Sequence, residues 1–223
     1  MSPNSDIAIL GGTGKEGKGL AYRWSKAGYR VIIGSRSVER AQAAAQEVSS
    51  MPGAGKVSSM DNLSAALDAE VVVITVPYGA HSETLKAVRE ALQGKLLIDV
   101  TVPLMPPKVT RVQMPSAGSA AMEARQILGE AVEVADAFQN ISHEHFLGEH
   151  EIDCDVLVTG TSKDARARTI KLVEDAGLIG WDAGPLENSM VVEGLTSLLI
   201  HINRHYGSTC AGIRITGIPR KFG

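Results

Sequence analysis

The chain has 223 residues, 44% of them hydrophobic and 21% charged, with 22 basic against 25 acidic side chains and a formal charge of −3. That length allows one sizeable core with a small appended lobe, and the near-balanced charge gives no footprint for nucleic acid or an anionic membrane. No apolar run is long enough to span a bilayer, the start MSPNSDIAIL lacks the basic and long apolar segments of a secretion signal, and Cys154 and Cys210 form no C-x-x-C pattern, so a reduced cytoplasmic protein is expected.

In chain order, short β-branched runs alternate with helical patterns. Strands are expected at 7–11, 30–34, 70–76 and 95–100, and helices at 15–27, 38–49 and 80–92. A weaker strand at 56–60 precedes a helix-like 61–68. Strands that are apolar throughout, such as EVVVITV, suit a parallel sheet covered on both faces. The pattern breaks over 101–118, a proline-rich irregular segment of the kind that is usually functional or mobile. A helix at 119–129, strands near 131–137 and 152–159, a helix at 163–176 and a short strand at 178–182 follow. Asp182 to Pro185 reads as a hinge into a long apolar helix, 187–205. On it Leu195, Leu198, Leu199 and Ile202 form one stripe that could serve as core, cleft wall or dimer surface, with core as its default reading.

The first strand runs into Gly12-Thr13-Gly14-Lys15-Glu16-Gly17, a G-x-G-x-x-G loop that opens a helix. The first glycine suits the tight turn, the second lets backbone approach a pyrophosphate, and the third permits close helix–strand packing. The free N–H groups at the helix start would hold the anion. An NAD-binding unit would carry an acid at the end of the next strand for the ribose 2′-hydroxyl. Here that place holds Ser35 and Arg36, with Arg40 one helical turn on. A hydroxyl and two guanidinium groups suit a 2′-phosphate, so NADP(H) is expected rather than NAD.

Other motifs read as packing or surface. Tyr22-Arg-Trp-Ser-Lys26 matches Y-x-x-x-K but lies inside the first helix, so Tyr22 and Trp24 are expected to pack. His201 and His205 are four apart without the glutamate of H-E-x-x-H. His143, His145 and His150 stand near Asp153, Cys154 and Asp155 in no recognised ligand spacing, so no metal is expected.

The segments LGGTGKEGKGLA (10–21), GSRSVER (34–40), ITVPYGAH (74–81), VTVPL (100–104) and DAGPLENSMVVEGLTSLLIHINRHYG (182–207) together resemble the NADPH-dependent F420 reductases, or F420H2:NADP oxidoreductases. The resemblance spans nearly the whole chain. It implies an α/β fold: a Rossmann-type doubly wound, mostly parallel sheet over residues 1–184 with a small helical C-terminal lobe over 185–223, usually as a homodimer. It implies reversible hydride transfer between NADP(H) and the deazaflavin coenzyme F420. It places Thr13, Gly14, Lys15 and Glu16 at the NADP phosphates and Ser35, Arg36 and Arg40 at the 2′-phosphate. Val76 and Pro77 would line the nucleotide, and Val102, Ile141 and His143 would approach the nicotinamide and the deazaflavin. Thr101, Val102, Pro103, Leu104, Ala137, Phe138, Gln139, Asn140 and Leu195 would wall the deazaflavin cleft.

The stretch AFQNISHEHF (137–146) departs from the family pattern, which has a proline soon after the isoleucine and small residues next, where Ser142 and His143 stand here. Hydride transfer between two bound heterocycles is mainly a matter of positioning in a dry site, so no catalytic side chain is assigned. His143 is the candidate for a proton-side role. Other acceptors that such a chain could serve are a flavin, a ferric chelate, an imine or a keto acid. A non-catalytic NADPH sensor would need no second cleft.

Overall fold

The computed structural model describes residues 5–147 and 152–219. The glycine loop joins β1 (Ile7–Leu10) to α1 (Lys15–Lys26), and β2 (Val31–Ser35) leads into α2 (Val38–Ser49). Next come β3 (Val57–Asp61), α3 (Asn62–Asp68), β4 (Val71–Ile74), α4 (Tyr78–Val88) and β5 (Leu96–Asp99). After the proline-rich segment, α5 (Ala120–Leu128), β6 (Glu133–Asp136), β7 (Asp155–Gly160), α6 (Lys163–Asp175), β8 (Ile179–Pro185) and α7 (Ser189–Tyr206) complete the chain. Helix starts follow the capping residues: Ser37, Asp61, Ser119 and Ser162 each accept a backbone N–H three residues on. Helix α1 differs, since its N-cap Gly14 has no side chain to offer.

The eight strands make one sheet in the order β3-β2-β1-β4-β5-β6-β7-β8, with β6 and β7 the antiparallel neighbours. Alternate residues of the central strands face opposite ways. Ile7, Ile9, Val31, Ile33 and Val73 bury against Leu20, Trp24, Ala41 and Val48 of α1 and α2. Ala8, Leu10, Ile32, Val72 and Ile74 bury against Ala65, Leu85 and Ala121 of α3, α4 and α5. Two cores, one per face, explain why these strands are apolar at every position; each such aliphatic side chain contributes about 1.5–3 kcal/mol when fully buried. The chain reverses direction across the sheet between β1 and β4, and that switch point opens a crevice at the strands' C-terminal ends.

Tyr22 and Trp24 pack as the sequence implies. Trp24 Nε1 donates to Leu172 O at 2.8 Å and Tyr22 Oη to Pro52 O at 2.8 Å. Two expectations need correction. Residues 182–185 are not a hinge: they complete β8, where Pro185 pairs with Gly160 of β7. The stripe on α7 is not core either. Leu199 is buried, but Leu198 and Ile202 are 48% and 40% exposed, because α7 covers the crevice on one side and has no described neighbour on the other. Beyond α7 the chain runs back along β7, where Asp155 N donates to Ile213 O at 2.8 Å and Ile215 N to Asp155 Oδ2 at 2.8 Å.

Candidate active site

Three adjoining cavities follow the crevice. The outer one, about 420 Å³, is lined by Gly11, Thr13, Ser35, Arg36, Arg40 and Asn62, with Val76, Pro77 and Thr84 on its far wall. The middle one, about 720 Å³, runs from Thr13, Gly14 and Glu16 past Val76 and Pro77 to Thr101, Val102 and Leu104. The inner one, about 380 Å³, lies between Glu16, Val102, Leu104 and the segment Gln139–His143 on one side and Thr196, Leu199, Ile200 and Asn203 of α7 on the other.

The glycines of the loop divide the work. A Cβ on Gly17 would stand 2.5 Å from Gly12 Cα, and one on Gly12 would stand 2.8 Å from Ile9 O, so both let α1 close on the end of β1. A Cβ on Gly14 would meet nothing within 4 Å. The space over Gly14 belongs to the middle cavity, and the uncapped N–H groups of α1 open there. This suits a bound pyrophosphate. Lys15, expected at the phosphates, is exposed and lines none of the three cavities.

The outer cavity fits a 2′-phosphate. Ser35 is buried, and its Oγ accepts from Ser37 N at 3.2 Å, which leaves the hydroxyl proton to give. Neither Arg36 nor Arg40 has a carboxylate partner among the described residues, although Lys18, Arg30 and Arg166 all do. Two guanidinium groups held without a counter-ion beside a hydroxyl form a site for a dianion. Asn62 was not foreseen: its Oδ1 accepts from Gly11 N at 3.4 Å and ties α3 to the loop.

Segment 137–143 reaches the inner cavity through an unusual backbone. Phe138 has φ of +76°, a left-handed conformation that costs a bulky residue about 1–3 kcal/mol. Edge-on contacts with Trp24, centroids 5.9 Å apart, and Phe146, 6.2 Å apart, hold it there. The turn sends the ring of Phe138 into the core and Gln139 and Asn140 to the cavity. Ala137, Phe138 and Pro103, expected on the cleft wall, are therefore buried beneath it, outside the cavity lining. Leu195 also falls outside that lining; Thr196 and Leu199 take its place because α7 presents the next face of its turn. Gln139 Oε1, Asn140 Oδ1 and His143 Nε2 are buried with no hydrogen-bond partner, and the inner pocket is of mixed character, with Glu16, Thr196 and Asn203 beside Val102, Leu104 and Leu199.

A buried polar cluster beneath the cleft had no sequence signal. His81 Nε2 lies 2.6 Å from Asp99 Oδ2, and Asp99 Oδ1 accepts from Thr101 N at 3.0 Å. Gln139 Nε2 donates to Asp99 O at 2.8 Å and to the Asp136 carboxylate. Glu193 of α7 accepts from Ala120 N and Ala121 N at 2.8 and 3.1 Å, across the start of α5. Burial raises Glu193 to about 8 against those two donors, and burial with the charges of Glu193 and Asp99 raises Asp136 well above the usual carboxylate range. For His81, burial favours the neutral ring, but the attraction of Asp99 outweighs it and the net shift is upward. The histidines weighed as metal ligands lie apart: His201 and His205 stack at 6.1 Å on the exposed side of α7, and His150 lies outside the described residues.

A family model described as NADP oxidoreductase, coenzyme F420-dependent, matches residues 6–103. The chain is 42% identical over 221 residues to the F420-dependent NADP reductase of Methanothermobacter marburgensis, covering 96% of this chain and 99% of that protein. It is 38% identical over 221 residues to the enzyme of the same name from Methanocaldococcus jannaschii, covering 95% and 98%. A solved structure from Arthrobacter sp. FB24, provisionally named F420-dependent NADP-reductase, superposes with a TM-score of 0.78 at 24% identity, covering 94% and 98% of the two chains.

Proposed function

The chain belongs to the F420-dependent NADP oxidoreductase family, and from that premise we propose that it transfers a hydride reversibly between NADP(H) and coenzyme F420. The observation that carries this reading is the pairing of two sites along one crevice: a counter-ion-free Ser35–Arg36–Arg40 pocket and a separate inner pocket with a polar edge. A sensor that only bound NADPH would not need the second.

When bound, NADPH supplies the hydride and F420 accepts it; the chain supplies place and dryness. Ser35, Arg36 and Arg40 would hold the 2′-phosphate. Gly12, Gly14, Gly17 and Thr13 would let the pyrophosphate sit on α1, and Val76 and Pro77 would back the nucleotide. Val102, Ile141 and Leu104 would face the two rings, and small apolar side chains there allow them to approach. Thr101, Gln139, Asn140 and His143 would meet polar ring edges. The described chain after β8 acts as a small lobe, with α7 as the outer wall of the inner pocket. The exposed apolar face of α7, with Met190, Val191, Leu198, Ile202 and Tyr206, serves a homodimer in the cytoplasm.

The test is spectroscopic. Purified protein is mixed with NADPH and oxidised F420, and bleaching of the deazaflavin band is followed, with NADH and FMN as parallel controls. Rapid bleaching with NADPH alone is expected. Tight NADPH binding without bleaching would reject F420 as the acceptor.

A further inference from the structure

Glu16 stands where the crevice's compartments meet. It lies in the first turn of α1, two residues past Gly14, and its half-buried side chain lines both the middle and the inner cavity. His143 also lines the inner cavity but not the middle one; these two are the only titratable side chains among the described residues that line it. The Glu16 carboxyl has neither a hydrogen-bond nor an ion-pair partner among the described residues.

The groups around it do not compensate the isolation. Tyr78, across the middle cavity at the start of α4, is turned to Glu123 Oε2 at 2.8 Å. On α1 itself, Lys18 pairs with Glu47 at 2.6 Å, and Lys15 is exposed outside the cavity lining. A half-buried carboxyl that no donor bonds is costly to ionise, and burial raises Glu16 to about 8. An anion seated on the start of α1 would push it further the same way.

Resting on the reading that NADP(H) lies along this crevice, we propose that Glu16 is the proton-holding group of the site: neutral opposite the uncharged nicotinamide of NADPH, ionised opposite the cationic nicotinamide of NADP+, and the source of the proton that the reduced acceptor takes up. Reduction consumes one hydride and one proton. The Glu16 O–H bond breaks, its proton goes to the acceptor ring nitrogen, and the carboxylate remains facing the positive ring. Water returns the proton after NADP+ leaves. The charge within the crevice is the same before and after transfer, which matters where little solvent screens it.

The test needs no turnover. Binding of NADP+ and of NADPH to the full chain is measured by calorimetry in two buffers of different ionisation heat, near neutral pH. Wild type is expected to release close to one proton more with NADP+ than with NADPH. The ratio of NADP+ to NADPH affinity, which cancels the titration of the 2′-phosphate itself, is expected to rise about tenfold per pH unit through neutral pH and to level off only above pH ~8, where Glu16 ionises in the NADPH complex as well. Glu16→Gln is expected to erase the proton difference and flatten the ratio, whereas His201→Asn, on the exposed side of α7, keeps both. Equal proton release for the two nucleotides in wild type, a difference that survives in Glu16→Gln, or one lost in His201→Asn would each overturn the proposal. Failure of wild type to bind either nucleotide would instead reject the cofactor assignment on which it rests.

Discussion

Nε2 of His81 lies 2.6 Å from Oδ2 of Asp99, with both side chains buried, and this pair joins α4 to the end of β5. Because the second Asp99 oxygen accepts from Thr101 N, the pair also sets the direction in which the chain leaves the sheet toward Val102. Removing one partner leaves the other dry and uncompensated. Asp99→Asn is expected to lower stability by about 3–5 kcal/mol, read by urea denaturation. A loss under about 1 kcal/mol, the size of an ordinary neutral hydrogen bond, would show that the pair carries no special weight.

Stability should fall as pH rises from mildly acidic to mildly alkaline. Glu16, Glu193 and Asp136 all bind their protons more tightly in the folded chain than in the unfolded one. The folded state therefore holds more protons between the ordinary carboxylate range and about pH 8, and each excess proton lowers stability by about 1.4 kcal/mol per pH unit. The raised His81 acts in the same direction, since its contribution is complete below its unfolded value and is lost as pH rises through the folded one. Thermal melts across that range should show a declining Tm, and Glu193→Gln should make the decline shallower. A Tm that climbs through the same range would contradict the assignment of buried, protonated carboxyls.

The two kinds of loop glycine should separate by experiment. In Gly17→Ala the new methyl would stand 2.5 Å from the Gly12 backbone, so α1 must move and the protein should lose stability by about 1–3 kcal/mol. In Gly14→Ala the methyl meets open space at a φ of −76°, so folding should be nearly untouched while NADPH binding weakens. Equal melting temperatures for the two variants would defeat the distinction.

Arg36→Ala should raise the NADPH KM about 10- to 100-fold, the worth of one or two charge-assisted hydrogen bonds, and leave NADH nearly unaffected. An unchanged NADPH/NADH ratio would remove Arg36 from the 2′-phosphate site.

Val102 lines both the middle and the inner cavity. Val102→Trp should fill the space between the two ring sites and abolish F420 turnover while NADPH still binds. Turnover within about twofold of wild type would place the acceptor elsewhere.

Much of this protein was readable in the amino-acid order because the signals are local. Continuous apolar runs such as IAIL and VVVI mark strands buried on both faces, and Ser37, Asp61, Ser119 and Ser162 mark helix starts by their own side chains. The glycine loop with Ser35, Arg36 and Arg40 names its ligand because backbone clearance and phosphate recognition depend on residue type at short spacing. Tertiary structure decided the rest. Only folding brings His81 to Asp99 and Glu193 to the start of α5, since those partners are 18 and about 73 residues apart along the chain. Only the left-handed turn at Phe138, held by Trp24 and Phe146, decides that Gln139 and Asn140 face the cavity while Ala137 and Phe138 do not. Which face of α7 is buried depends on what packs against it, and helical periodicity alone does not specify that. The proton affinity of Glu16 likewise comes from the walls around it, because a carboxyl's charge is set by the water and donors it can reach.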